Sequence, residues 1–297
     1  MKRKTTILIG ASSLFLYLAV FFSLSVFGAT STKLQVSFLD IGQGDATYIK
    51  APNGHDMLID GGRTSAMLLK KLKAVMTPGD TTIDVVIATH PDADHIGGLP
   101  MVFEKYKIGQ YIEPGIGAGT KVYASLLENV TTAKVPKILA RTGTKIILDE
   151  KNGVEFNVLW PYEVHEGDTT NDVSIVGILS YKEESFMLTG DAPIVAEEGI
   201  VNNFSVARNA SGISEINVDV LKLGHHGSRT SSGEAFLLAT HPSVAIISAG
   251  CDNSYGHPHK EVIDRLSKLK IPTLATCSSG TITFTTDGAT LSHKLEK

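Results

Sequence analysis

Leu34–Gln35–Val36–Ser37–Phe38–Leu39 alternates apolar and polar side chains, the mark of a strand with one buried face. Ala46–Thr47–Tyr48–Ile49 follows a glycine turn, and Met57–Leu58–Ile59 closes a small meander. The period lengthens to that of a helix over 64–76, then returns to a strand at Ile83–Asp84–Val85–Val86–Ile87–Ala88. Helices are predicted at about 99–106 and 122–130, with strands near 144–148 and 154–160. A second β-rich half opens at 173–179 and 185–188, continues at 218–223 and 244–247, and passes through a helix over 260–266 to a strand at 272–275. Two further strands are predicted at 281–286 and 290–293. Strands predominating in both halves, with helices interspersed, predict an α+β chain: two packed sheets with helices outside, a four-layer αββα sandwich occupying 34–297 as one domain.

Residues 1–30 stand apart as an N-terminal hydrophobic helix. Lys2, Arg3 and Lys4 precede a run without charge until Lys33, which is the pattern of a signal peptide or a membrane anchor. Val26 and Gly28 suit cleavage, whereas the apolar run over 5–28 approaches the roughly 20 residues that span a bilayer. Either way the body is expected to be exported, secreted or anchored in the membrane and facing outward. Loss of 1–28 would move the formal charge from −4 to −7, since three basic residues go and no acidic one does. So acidic a body argues against a general polyanion-binding surface but leaves room for a local basic pocket. Cys251 and Cys277 each follow one strand of a predicted strand–helix–strand unit, so a disulfide and two buried thiols both remain open.

Four polar clusters, each just after an apolar strand, carry the candidate chemistry. They are His90, Asp92, Asp94 and His95; Thr189–Gly190–Asp191; His225–His226–Gly227–Ser228; and Tyr255–Gly256–His257–Pro258–His259. Groups so costly to bury unpaired are ordered most simply by a cation, and imidazole with carboxylate is the ligand set of Zn²⁺ or, with more carboxylate, Mn²⁺. Taken singly, each cluster also reads as a capped turn, with Asp92 or Asp191 as the cap and His257 as an ordinary loop histidine.

The pattern His90-x-Asp92-x-Asp94-His95 resembles the signature of the metallo-β-lactamase superfamily in the variant whose second histidine is an aspartate. The wider set is similar to the extracellular metallo-hydrolase domain of the ComEC family of DNA-uptake channel proteins. It comprises "FLDIGQGDATYI" at 38–49, "LIDGG" at 58–62, "THPDADHIGGL" at 89–99, "NDVSIV" at 171–176, "LTGDA" at 188–192, "VLKLGHHGSRTSS" at 220–232 and "DNSYGHPH" at 252–259. The chain reads as a free-standing version of that domain.

The resemblance implies two divalent ions, Zn²⁺ or Mn²⁺. His90 and Asp92 would bind the first and Asp94 and His95 the second, with Asp191 bridging and one of His225 and His226 completing the second site, His225 being favoured. Asn171 stands where many relatives have a third histidine, so the first site is expected to be weak. Asp40, Asp45 and Asp60 read as residues that hold ligands or turns. Asp94 and His257 are the expected catalytic groups, with Ser228, Arg229, Asn253, Tyr255 and His257 placed to contact substrate. The reading is a metal-dependent hydrolase using activated water, with a phosphodiester in DNA, RNA or a cell-envelope polymer as substrate. The alternatives are ester or lactone hydrolysis and a non-catalytic module that holds a phosphorylated ligand. The sequence points to no protein partner, and to the membrane only through residues 5–28 if they are retained.

Overall fold

The computed structural model describes residues 33–211 and 216–297. The hydrophobic helix expected over 1–30 lies outside them; among the described residues no helix is long and apolar enough to cross a membrane.

The described strands form two sheets. The first contains β1 (Leu34–Phe38), β2 (Thr47–Lys50), β3 (Asp56–Ile59), β4 (Thr82–Ile87), β5 (Lys107–Glu113) and β6 (Lys137–Leu139) side by side in that order. The second runs from β7 (Lys145–Asp149) through β8 (Val154–Trp160), β9 (Val176–Tyr181), β10 (Glu184–Leu188), β11 (Val220–Lys222) and β12 (Val244–Ile247) to β13 (Thr273–Ala275). The hairpin of β14 (Ile282–Thr286) and β15 (Leu291–Leu295) returns to the first sheet, where β14 pairs antiparallel with β1. In each sheet an antiparallel meander gives way to parallel strands, β3 to β6 in the first and β10 to β13 in the second.

Three apolar clusters make the layers. Phe38, Phe156, Phe186 and Phe284 belong to the core between the sheets. Leu58, Val86 and Tyr111 pack with Leu68 and Leu72 of the helix Ser65–Val75 and Leu126 of the helix Lys121–Thr132. Met187, Leu221 and Ala245 pack with Ala196 and Ile200 of the helix Ile194–Ser211 and with Val262 and Leu266 of the helix Lys260–Lys268. Successive strand residues face opposite sides, so strands buried on both faces need the near-continuous apolar runs seen at Ile83–Ile87 and Val244–Ile247.

Most predicted elements form within a residue or two of their expected ends. The strand predicted from 173 instead begins at Val176. Residues before it are drawn to the neighbouring loop: Ile175 N–H donates to Thr89 O, and the Ser174 hydroxyl sits 3.4 Å from His90 Nδ1. The strand–helix–strand unit is parallel, with Ile247 opposite Ala275, and this register brings Cys251 and Cys277 together in a disulfide with Cα atoms 5.0 Å apart.

Candidate metal centre

The parallel strands carry the polar clusters just beyond their carboxyl ends, where open α/β sheets generally build binding sites. His90 follows β4, Asp191 follows β10, His225 and His226 follow β11, and the loop bearing His257 follows β12. Two glycines let these loops meet. A Cβ on Gly44, at φ +119°, would lie 2.0 Å from the Asp94 carbonyl oxygen, and one on Gly190 would lie 2.3 Å from Ser174 Oγ. His225 and His226 both adopt left-handed backbone, at φ +49° and +58°, a conformation that costs non-glycine residues energy and concentrates at functional sites.

Asp191 is the hub. Its Oδ1 lies 3.1 Å from His95 Nε2, and its Oδ2 lies 3.5, 3.6 and 3.9 Å from the Nε2 atoms of His226, His225 and His90. Asp94 Oδ2 is 3.4 Å from His226 Nε2, and Asp92 Oδ2 is 3.8 Å from His90 Nε2. The opposite ring nitrogens are held from behind. His95 Nδ1 meets Asp60 Oδ2 at 2.8 Å, and His226 Nδ1 meets the Ser248 carbonyl oxygen at 2.9 Å. His90 Nδ1 meets Thr89 Oγ1 at 3.0 Å. Asp60 also accepts from the amide and hydroxyl of Thr89, at 2.8 Å each. Such rear contacts fix each ring and direct Nε2 forward.

The forward atoms have no such partners. Nε2 of His90, His95 and His226 and Oδ1 of Asp191 are buried without a hydrogen bond, an arrangement that costs free energy unless something coordinates them. Asp45, His95, Asp191 and His226, all buried, offer nitrogen and oxygen atoms within 4.8 Å of one another. This donor set fits a divalent cation of the Zn²⁺ or Mn²⁺ kind. Asp45, however, approaches the rings from the Nδ1 side, at 3.3 Å from His226 and 3.9 Å from His95, and its geometry is that of a residue holding ligands.

Without a cation, protons carry the balance. Burial opposes charge on His95 and His226, but the surrounding carboxylates together outweigh it, Asp191 and Asp60 at His95 and Asp191, Asp45 and Asp94 at His226, raising His95 well above the usual histidine range and His226 to about 9. Burial would raise the Asp191 carboxyl, yet the histidines His226, His95 and His90 hold it well below the normal range. His90 is pushed down to about 3, chiefly by burial. A cation would replace these protons, so metal binding at this cluster releases protons.

The other expected site residues divide. Asn171 Oδ1 is buried and without a hydrogen-bond partner. His257 stands at the edge of the cluster, its ring centroid 5.4 Å from that of His225 and 6.0 Å from that of His226, with Nδ1 also unpartnered. Asn253 bridges the Gly250 and His257 carbonyls and accepts from His257 N–H, which shapes that loop. Tyr255 stacks on His257 at 5.7 Å and is exposed. Arg229 reaches outward to Glu261 at 3.6 Å.

Three residues stand otherwise than expected. His226, not the favoured His225, takes the buried position beside Asp94, because the left-handed turn swings His225 to the open edge, where it is about 29% exposed. Ser228 is buried, and its hydroxyl accepts from the amide and hydroxyl of Thr230 within its own turn. Asp40 pairs with Lys297 at 3.2 Å and with Lys71 at 4.0 Å, away from the histidines. The capped-turn alternative fails at Asp92, which precedes the helix Ala93–Ile96 but makes no side-chain capping bond.

Sequence reasoning missed Lys222 and Arg63. A lysine set between Leu221 and Leu223 in the otherwise apolar stretch Val220–Leu223 was the available signal for Lys222; nothing marked Arg63, whose guanidinium reaches the Tyr255 hydroxyl at 3.3 Å across the mouth of the site.

Residues 39–250 match the family described as the metallo-beta-lactamase superfamily. The chain is 30% identical over 281 residues to ComE operon protein 3 of Bacillus subtilis, covering 89% of this chain and 34% of that protein. It is 27% identical over 272 residues to competence protein ComA of Neisseria gonorrhoeae, covering 91% of this chain and 35% of that one. The chain thus spans about a third of the length of these curated relatives. Among solved structures, the metallo hydrolase Igni18 of Ignicoccus hospitalis superposes with a TM-score of 0.53 at 16% identity, covering 85% of this chain and 98% of that one, a likeness of fold. Fold, buried histidine–aspartate cluster and family match agree: this chain belongs to the metallo-β-lactamase superfamily, as a relative of the competence proteins, and has the fold of metal-dependent hydrolases.

Proposed function

We propose that the protein is an exported, metal-dependent phosphodiesterase. The supporting observation is the set of forward-facing, unpartnered Nε2 and carboxylate atoms around Asp191, with His257 and the guanidinium groups of Arg63 and Arg229 at the adjoining edge, where Glu261 faces Arg229. Asp94, His95, His226 and Asp191 would hold one cation, and His90, Asp92, Asn171 and Asp191 a second, weaker one. Divalent cations bound there lower the pKa of a water to about 7 and neutralise charge that develops on the ester oxygens.

The chain's own groups do the rest. Asp60 keeps the His95 Nδ1 proton in place and so keeps Nε2 free to ligate. Arg63 and Arg229, at the rim, attract the anionic diester and orient it. Burial, followed by His225 and His226, holds the His257 imidazole down at about 4. It is therefore neutral at pH 7 and serves as a hydrogen-bond donor to a phosphoryl or leaving oxygen, since a group so rarely protonated is a poor general acid.

The competence relatives make DNA the first polymer to test, ahead of RNA and cell-envelope polymers. Export rests on residues 1–30, which act as signal peptide or anchor in this reading. The deciding experiment measures hydrolysis of bis(p-nitrophenyl) phosphate and of a chromogenic lactone by the protein with Mn²⁺, with Zn²⁺ and with chelator. Metal-dependent turnover of the diester is the expected result. Turnover of the lactone alone would replace this reading with that of an ester hydrolase.

A further inference from the structure

Lys222 ends β11 in the middle of the second sheet and is only 2% exposed. A buried ammonium is costly unless it is paired and hydrogen-bonded, and this one is both. Its Nζ forms an ion pair with Asp45 Oδ2 and donates to the carbonyl oxygens of Gly190, at 3.0 Å, and Leu223, at 2.8 Å. Asp45 comes from the loop before β2, so the pair ties the two sheets together directly beneath the metal centre.

The contacts lead to three proposed ligands. The carboxylate paired to Lys222 lies against the Nδ1 atoms of both His226 and His95. The Gly190 carbonyl belongs to the turn that presents Asp191, and it also accepts from His225 N–H at 3.1 Å. The Thr189 hydroxyl completes this brace by donating to the Lys222 carbonyl at 2.7 Å. Asp45 has an oxygen close enough to His95, Asp191 and His226 to share a cation with them. The ammonium holds that carboxylate at the rear of the rings.

We infer that Lys222 is a positioning residue of the metal centre: by pinning Asp45 behind His95 and His226, and by bracing the Gly190 turn, it sets the affinity of the site formed with Asp94 and Asp191. The inference rests on the cluster being a metal centre and adds an interior lysine as a determinant of its affinity. Loss of a group that orients ligands typically weakens metal binding 10–100-fold.

The test is Zn²⁺ binding by metal-free protein in competition with a chromogenic chelator, for the parent, Lys222→Met, Asp45→Asn and the double variant. Circular dichroism of each metal-free protein checks the fold. Lys222→Met is expected to bind the tighter Zn²⁺ about 10–100-fold more weakly. Because Lys222 acts largely through Asp45, the double variant should bind about as Asp45→Asn does, well short of the product of the two losses. The double variant carries no unpaired buried charge, so it reports even if Lys222→Met fails to fold. Lys222→Met binding Zn²⁺ as the parent does, or losses that simply multiply in the double variant, would overturn the inference. If the parent took up neither Zn²⁺ nor Mn²⁺, the metal-centre reading itself would fall, an outcome distinct from the other two.

Discussion

Replacing Asp60 by asparagine isolates one task of the site. Asp60 accepts from Thr89 N–H, Thr89 Oγ1 and His95 Nδ1, and its backbone is left-handed at φ +61°, a conformation asparagine tolerates better than most residues. Alanine would strand the buried Thr89 donors at about 1–3 kcal/mol apiece. Asparagine keeps a carbonyl for the Thr89 amide, but at the Oδ2 position, which meets both His95 and the Thr89 hydroxyl, it can present its NH₂. The ring must then accept at Nδ1, which moves its proton to Nε2, the atom 3.1 Å from Asp191 that would face a cation. A misdirected ligand of this kind costs 10–100-fold in metal affinity, about 1.4–2.7 kcal/mol. Chelator competition with Zn²⁺ measures the loss, and circular dichroism of the metal-free proteins checks the fold, since without a cation Asp60 also pairs with a charged His95 and its replacement lowers stability. Affinity within about two-fold of the parent, with the fold intact, would refute the claim that the rear carboxylate sets the tautomer.

Two further predictions concern stability. Glu197 is buried and accepts from Ser232 N–H at 2.6 Å and Gly233 N–H at 2.8 Å; burial outweighs both and raises its carboxyl from 4.5 to about 7. A carboxyl raised on folding favours the folded state below pH 4.5, and that advantage is lost as pH rises through about 7, about 3 kcal/mol in all. Urea unfolding of metal-free protein between pH 4.5 and 7.5 should therefore slope downward more steeply in the parent than in Glu197→Gln; equal slopes would contradict the assignment. Cys251 and Cys277 are 26 residues apart, so reducing their disulfide should destabilise the protein by about 3 kcal/mol through restored chain entropy. Urea midpoints should fall with reductant in the parent and not in Cys251→Ser.

Much of this protein is legible in one dimension. Apolar period alone places most strands: one buried on both faces has to be largely apolar, as Val85–Val86–Ile87 is, and alternation marks the strand at 34–39, although Ser37, expected on an exposed face, is buried with its hydroxyl 3.1 Å from Thr283 Oγ1. The crowding of His90, Asp92, Asp94 and His95 into six residues announces cation chemistry for a similar reason: such groups are too costly to gather without a partner. What the chain cannot state linearly is which atom of each residue faces inward. His225 and His226 are neighbours of one type, and only the left-handed turn, which swings one ring under Asp94 and the other to the edge, separates their positions. Asp40, Asp45 and Asp60 look alike in sequence. Packing sends the first to Lys71 and Lys297, the second to Lys222 and the third to His95. Asp45 and Lys222 lie 177 positions apart and meet only because two sheets stack. Residue type fixes which chemistry is available, whereas direction and distance, which decide its use, exist only once separate strands have been brought together.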